Sequence, residues 1–270
     1  MKLTVLVDNH TSIDHYYLGE PGLCYYIEDE GSRFLLDTGY SDIYIENARR
    51  LGIDLSDIDT IVLSHGHNDH TGGLPAYFEH FDNPGLKIIA HPEALSEKQF
   101  DGENIGITLS EMTLLENSQL ILTKAPYKVS QNFTFLGEIP QLTDFEPRKA
   151  IGTTMAENSE GESYFLFDDS ALVYTTPEGI YIVTGCSHSG ICNIVEHAKR
   201  VTGDSRVLGI IGGFHLFKLG EQVDRTIQYF KDNHIENLLP CHCTSFRVRA
   251  AIHQAVPLKR EVGVGLTLEW

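Results

Sequence analysis

His65-Gly66-His67-Asn68-Asp69-His70 places three imidazoles and a carboxylate within six residues. Neutral imidazole and carboxylate are the ligands of zinc and its first-row neighbours. A structural zinc site closes four ligands from paired Cys or His, but this one loop offers more than a single ion needs. Four ligating groups there suit two ions sharing a bridging water. The competing reading is a polar surface loop that is merely rich in His. The density of ligands directly after an apolar strand argues against it.

Such a cluster needs a rigid platform, and the flanking sequence supplies one. Thr60-Ile61-Val62-Leu63 reads as a short buried strand running straight into the cluster. Around it, strand and helix patterns alternate. A strand is predicted at 2–7, a hairpin at 23–29 and 33–37 turning at Glu30-Gly31-Ser32, a helix near 42–51 closed by Gly52, a helix near 74–81 and a strand at 87–90. A weaker helical pattern covers 110–117. Residues 138–165 show no period and many turn formers, so they read as a substrate loop or lid. Strands follow at 164–168, 171–175 and 180–184, and a helix at 190–201. The strand Val207–Ile211, a helix at 221–232, a strand at 237–240, a helix at 245–254 and a last strand at 262–268 complete the α/β pattern. No composition shift marks a linker, so residues 1–270 read as one domain.

Composition narrows the function. The 270 residues are 41% apolar and 21% charged, a globular balance, with a net charge of −18. That charge argues against nucleic acid and against anionic membranes as partners. No apolar run is long enough for a membrane span, and the N-terminus is too short for a signal peptide. Five cysteines without framework spacing fit a reduced, cytoplasmic setting. There is no phosphate-binding P-loop, dinucleotide glycine fingerprint or serine elbow.

The segment Thr60–Gly73 resembles the HxHxDH signature of the metallo-β-lactamase superfamily, and Leu36-Asp37-Thr38-Gly39 resembles its upstream first motif. Thr184-Gly185-Cys186, Gly212-Gly213-Phe214-His215 and Leu239-Pro240-Cys241-His242 follow in the family's order, so the resemblance covers nearly the whole chain. These strings are most similar to a branch of uncharacterised metal-dependent hydrolases. Some of its members are named dihydropterin-6-methyl-(ribofuranosyl)aminobenzene 5′-phosphate synthases of pterin cofactor biosynthesis. The resemblance implies a four-layer αββα sandwich with metals at one edge, between the two sheets.

It also implies ligands. His65 and His67 match the first-metal positions, and Asp69, His70 and His242 the second-metal positions. A further first-metal His is missing from its usual place, since no His lies between His91 and His188. Cys186 stands where the family has an Asp or Cys, and His188 follows two residues later; together they are expected to replace the missing ligand and the bridging Asp. A buried small residue is the alternative for Cys186. A thiolate would favour zinc, with iron or manganese as alternatives. Asp37 resembles the residue that orients the His loop from behind. His215 reads as a ligand, a proton donor beside the substrate, or a buried structural His. His91 reads as structural. On an extended chain Cys241 and Cys243 would point away from His242, so both read as packing residues.

The reaction expected is hydrolysis of a small-molecule ester, thioester, lactone, amide or phosphoester at two divalent ions. Asp69 would accept the nucleophile's proton and His215 would stabilise the oxyanion. The substrate is expected to be small and in some cases anionic, with Arg148, Lys149, Arg247 and Arg249 as candidate anchors. A pterin-linked synthase and a non-hydrolytic metal-binding or redox protein are the two alternatives.

Overall fold

The computed structural model describes residues 1–154 and 162–270. The first half supplies β1 (Lys2–Val7), β2 (Cys24–Asp29), β3 (Ser32–Leu36), β4 (Thr60–Val62), β5 (Lys87–Ala90) and β6 (Gln119–Leu122). The second supplies β7 (Tyr127–Lys128), β8 (Phe133–Phe135), β9 (Ala171–Thr175), β10 (Ile180–Thr184), β11 (Val207–Gly213) and β12 (Asn237–Cys241), and β13 (Thr267–Glu269) returns to the first sheet. The two large sheets run β13-β1-β2-β3-β4-β5-β6 and β12-β11-β10-β9-β8-β7, and a small four-stranded sheet joins Glu162–Ser163, Thr153–Thr154, Gln99–Phe100 and Glu103–Asn104 in that order. Each large sheet mixes antiparallel strands with a parallel run, β3 to β6 in one and β10 to β12 in the other.

Side-chain alternation explains the layers. Leu3, Val5, Tyr25, Phe34 and Leu36 of one sheet pack against Phe133, Phe135, Leu172, Val183, Ile211 and Leu239 of the other. The outer face of the first sheet carries Leu6, Leu35, Ile61 and Ile88 under helices α1 (Ile43–Leu51) and α3 (Leu74–His80). The outer face of the second carries Ile182 and Ile210 under α5 (Ile191–Thr202), α6 (Glu221–Asp232) and α7 (Phe246–Ala255). This is the expected four-layer αββα sandwich. Two short helices, α2 (Asn68–Thr71) and α4 (Glu111–Asn117), complete the helices. No described helix is long and apolar enough to cross a membrane.

Several element boundaries differ from the sequence reading. Residues 164–168 are not a strand: only Glu162–Ser163 pairs, with Thr153–Thr154, and Leu166 has φ +32°. The chain leaves the extended form there because Asp168 and Asp169 turn inward to accept backbone hydrogen bonds. The last strand is confined to Thr267–Glu269, since Gly265 at φ +90° ends the run before it. Strands β6 and β8 carried no recognisable period. In the expected lid 138–165, residues 155–161 lie outside the described residues. The first part is anchored rather than loose. Buried Glu146 accepts hydrogen bonds from Cys192 and Asn193 N–H at the start of α5, and Arg148 donates to the carbonyls of Ile139 and Leu166.

Candidate metal centre

The C-terminal ends of the parallel strands converge at one edge of the sandwich, where open α/β sheets place their ligands. β3 leads to Asp37 and β4 to the His loop. β10 leads to Cys186 and His188, β11 to His215, and β12 to His242 and Cys243. After β4 the chain turns at Gly66, where any Cβ would collide with the carbonyl of Ala94. Thr71 Oγ1 donates to the His67 carbonyl at 3.0 Å, fixing the single turn α2 that carries Asp69 and His70.

The seven expected ligands fall into two groups with no shared member. Ligand atoms of His65, His67 and His188 lie within 4.8 Å of one another, and so do those of Asp69, His70, Cys186 and His242. His188 therefore stands in the three-histidine group, where the family's usual third His is missing, and Cys186 stands in the other. His70 Nε2 is 3.2 Å from Cys186 Sγ and 3.6 Å from Asp69 Oδ2, and His242 Nε2 is 3.3 Å from Asp69 Oδ2.

Hydrogen bonds from behind fix which ring nitrogen faces the centre. Ser64 Oγ donates to Asp37 Oδ2 at 2.7 Å, so its oxygen is left to accept from His65 Nδ1 at 2.9 Å. His70 Nδ1 donates to Asp37 Oδ2 at 2.6 Å, and His242 Nδ1 donates to Asn9 Oδ1 at 2.8 Å. In all three rings Nδ1 is thus engaged from behind and Nε2 is the nitrogen left to face the centre. One carboxylate, that of Asp37, sets His65 through Ser64 and His70 directly.

A cation fits these residues. Nε2 of His65, His67 and His242, both ring nitrogens of His188 and Nδ1 of His215 are buried without a hydrogen-bond partner among the described residues. Each such group left unsatisfied costs about 1–3 kcal/mol. Unpartnered lone pairs gathered in such groups are what metal ions would satisfy.

Electrostatics divide the two groups. Burial, reinforced by neighbouring imidazoles, pushes His65 and His188 well below the ordinary histidine value and brings His67 down to about 3. Burial also opposes the charged form of His70, but Asp69 and Asp37 outweigh it and raise that ring to about 9. Asp69 is held below the usual carboxylate range despite its burial, by His70 and His242. Burial raises the Cys186 thiol well above its ordinary value.

Four supporting residues were not singled out from the sequence. Asp168 Oδ2 accepts from Gly66 N at 2.8 Å and lies 3.4 Å from the fully buried Lys98 ammonium. The adjacent Asp169 accepts from Ser189 N at 2.8 Å. One Asp-Asp pair therefore pins both loops of the three-histidine group. Asp8 accepts from the backbone N–H of His242 at 3.0 Å, and Asn9 orients its ring. The readable signal is acidic or amide residues directly beside a strand, in Asp8-Asn9 after β1 and Asp168-Asp169 shortly before β9.

Cys243 departs from the packing role that strand alternation predicts. His242 has φ +45°, so the chain there is not extended and the expected alternation fails. Cys241 does pack inward, with its sulfur 3.0 Å from Tyr25 Oη. Cys243 instead joins Cys186 and His215 in a third group whose ligand atoms lie within 4.8 Å. His91 is structural as expected: it is buried, and its Nδ1 accepts from Glu93 N at 3.1 Å.

Beside the centre opens a cavity of about 500 Å³, lined by His188, His215, Phe217, Lys149, Lys218 and the start of α6. Of the expected anion anchors, only Lys149 lines it. Arg148 is committed to backbone carbonyls, and Arg249 donates to His10 Nε2 at 2.7 Å. Arg247 is exposed.

A fold of two packed sheets with a histidine-rich edge is matched by the comparisons. The sequence profile of the metallo-beta-lactamase superfamily matches residues 17–131. The protein MJ0448 of Methanocaldococcus jannaschii is 32% identical over 254 residues, 93% of this chain and 94% of its own. The 7,8-dihydropterin-6-methyl-4-(beta-D-ribofuranosyl)-aminobenzene-5′-phosphate synthase of the same organism is 30% identical over 261 residues, 92% of this chain and 88% of its own. The solved structure of Tm1679, described as a metal-dependent hydrolase of the beta-lactamase superfamily, superposes with a TM-score of 0.83 at 28% identity, covering 100% of this chain and 99% of that one. The chain belongs to the metallo-β-lactamase superfamily.

Proposed function

We propose that the protein is a hydrolase of a small-molecule ester, thioester, lactone or phosphoester, working with two divalent ions, zinc foremost. The observation that carries this reading is the division of seven candidate ligands into two separate groups, with buried imidazole nitrogens of both groups left without a hydrogen-bond partner among the described residues. His65, His67 and His188 would hold one ion, and Asp69, His70, Cys186 and His242 the other. The thiol of Cys186 favours zinc over magnesium or calcium. Bound there, the ions would supply a water of lowered pKa and polarise the substrate's carbonyl or phosphoryl oxygen.

The chain's own residues do the rest. Asp69 lies against His70 and His242 and is held ionised, so its free lone pairs accept the nucleophile's proton. His215 packs against His188, ring centroids 4.0 Å apart and planes tilted by 51°, and forms part of the cavity wall, where it would meet the oxygen that gains charge. Lys149 and Lys218 at the cavity rim favour a small substrate with an anionic group. The net charge of −18 disfavours a polyanion and a membrane surface.

The test is a screen of chromogenic phosphodiester, thioester and lactone substrates with zinc- and manganese-loaded protein, beside His67→Ala. Turnover of one class, lost in the variant, supports the reading; no turnover of any class contradicts it. The 30% identity to a protein named as a pterin-linked synthase favours a second reading, a transferase on the same centre. Product formation that requires both a pterin and an aryl-ribose phosphate would select it.

A further inference from the structure

We propose that Cys186, His215 and Cys243 form a third cation position, selective for one thiophilic ion, that shares Cys186 with the four-residue group. The three ligand atoms lie within 4.8 Å of one another. Two sulfurs and an imidazole make a soft donor set, which selects zinc, cadmium or copper(I) over magnesium, calcium or manganese. His215 Nδ1 is buried and has no hydrogen-bond partner among the described residues.

The position is built into the backbone. Its three donors come from the ends of the adjacent parallel strands β10, β11 and β12. Each of these turns carries a non-glycine residue in the left-handed region: Ser187 at φ +56°, His215 at +50° and His242 at +45°. Each such residue costs roughly 1–2 kcal/mol, and strain of this kind persists where surrounding structure enforces it. Here the turns are tied to one another. Gly213 N donates to Gly185 O at 2.8 Å, Ser187 Oγ donates to Gly213 O at 2.6 Å, and Phe214 N donates to Thr244 Oγ1 at 2.9 Å. Any Cβ on Gly213 would overlap Cys243 Sγ, so glycine there is what admits the second sulfur.

Sharing gives the position a consequence. An ion held by Cys186, His215 and Cys243 engages the wall residue His215 and competes for a donor of the four-residue group. Excess thiophilic cation should therefore inhibit whatever reaction the centre performs, while excess magnesium or manganese should not.

The test uses the full chain, stripped with chelator and titrated with cadmium. Sulfur-to-cadmium charge-transfer absorbance reports bound thiolates, and elemental mass spectrometry counts retained ions. The wild type should retain about three cadmium ions and show a two-thiolate band. Cys243→Ser should retain about two, with the band reduced to about half. His215→Ala should keep the band but weaken the last ion about tenfold or more. In the wild type, cadmium should also protect the partly exposed Cys243 from a thiol reagent, a measurement that needs no variant. Wild-type stoichiometry and absorbance in Cys243→Ser, or labelling of Cys243 unaffected by cadmium, would overturn the proposal. His67→Ala disables the three-histidine group without touching the thiols. Hydrolysis retained in His67→Ala would count against the dinuclear reading alone, whereas a wild-type band and stoichiometry in Cys243→Ser would count against this position alone.

Discussion

Asp37 Oδ2 accepts a hydrogen bond from His70 Nδ1 at 2.6 Å, and both side chains are fully buried. The same oxygen accepts from Ser64 Oγ, which in turn holds His65. One carboxylate thus sets the tautomer of a ring in each ligand group. Asp37→Asn places an amide that can donate to His70 Nδ1 and drive its proton to the inward nitrogen. The variant should bind metal about 10–100-fold more weakly, with the four-residue group affected more. Competition against a chromogenic chelator measures this, and unchanged affinity would refute the assigned role.

The two groups should differ in proton release. Near pH 7 the rings of His65, His67 and His188 are already neutral, whereas His70, raised to about 9, is protonated. Metal must displace that proton and also the Cys186 thiol proton. Affinity of the four-residue group should therefore rise with pH, less steeply above about 9, where His70 no longer needs to lose a proton but the Cys186 thiol still does, and that of the three-histidine group should stay nearly flat. Calorimetry in buffers of different ionisation enthalpy reads the protons directly. Equal release in both binding phases would contradict the assignment.

Asp168 supports the centre without touching it. Asp168→Ala removes the acceptor of Gly66 N and leaves the Lys98 ammonium buried without its counter-charge. Breaking a buried pair in this way costs about 3–5 kcal/mol. Replacing Lys98 with Met as well should recover much of the loss, because the stranded charge is gone. Urea denaturation of chelator-treated protein is the measurement. A cost for Asp168→Ala within about 1 kcal/mol would show that the pair is not structural.

His215→Ala should lower turnover about 100-fold or more while two ions remain bound. Loss of an ion along with activity would make the residue an essential ligand of the dinuclear centre instead. Steady-state rates and metal counts on the same preparation decide between them.

Much of this was legible in the sequence because local patterns and the site coincide. The strand at 60–62 delivers the His cluster, and helix α1 ends at Gly52, whose φ of +71° only glycine adopts at little cost. The residues without a local sequence signal act across long chain separations. Asp168 holds Gly66 from 102 positions away, and Asp8 holds His242 from 234. No local period encodes such contacts. Cys243 was misread because alternation assumes an extended backbone, and the left-handed His242 breaks it. The strand expected at 164–168 failed for a related reason, since its carboxylates serve other loops' N–H groups rather than a ladder.

The most direct test of the central claim is metal content per chain by elemental mass spectrometry, on protein purified without chelator, for wild type, His188→Ala and His242→Ala. The wild type should hold about two ions and each variant about one, lost from different groups. One ion or fewer in the wild type, or two retained in His188→Ala, would contradict that claim.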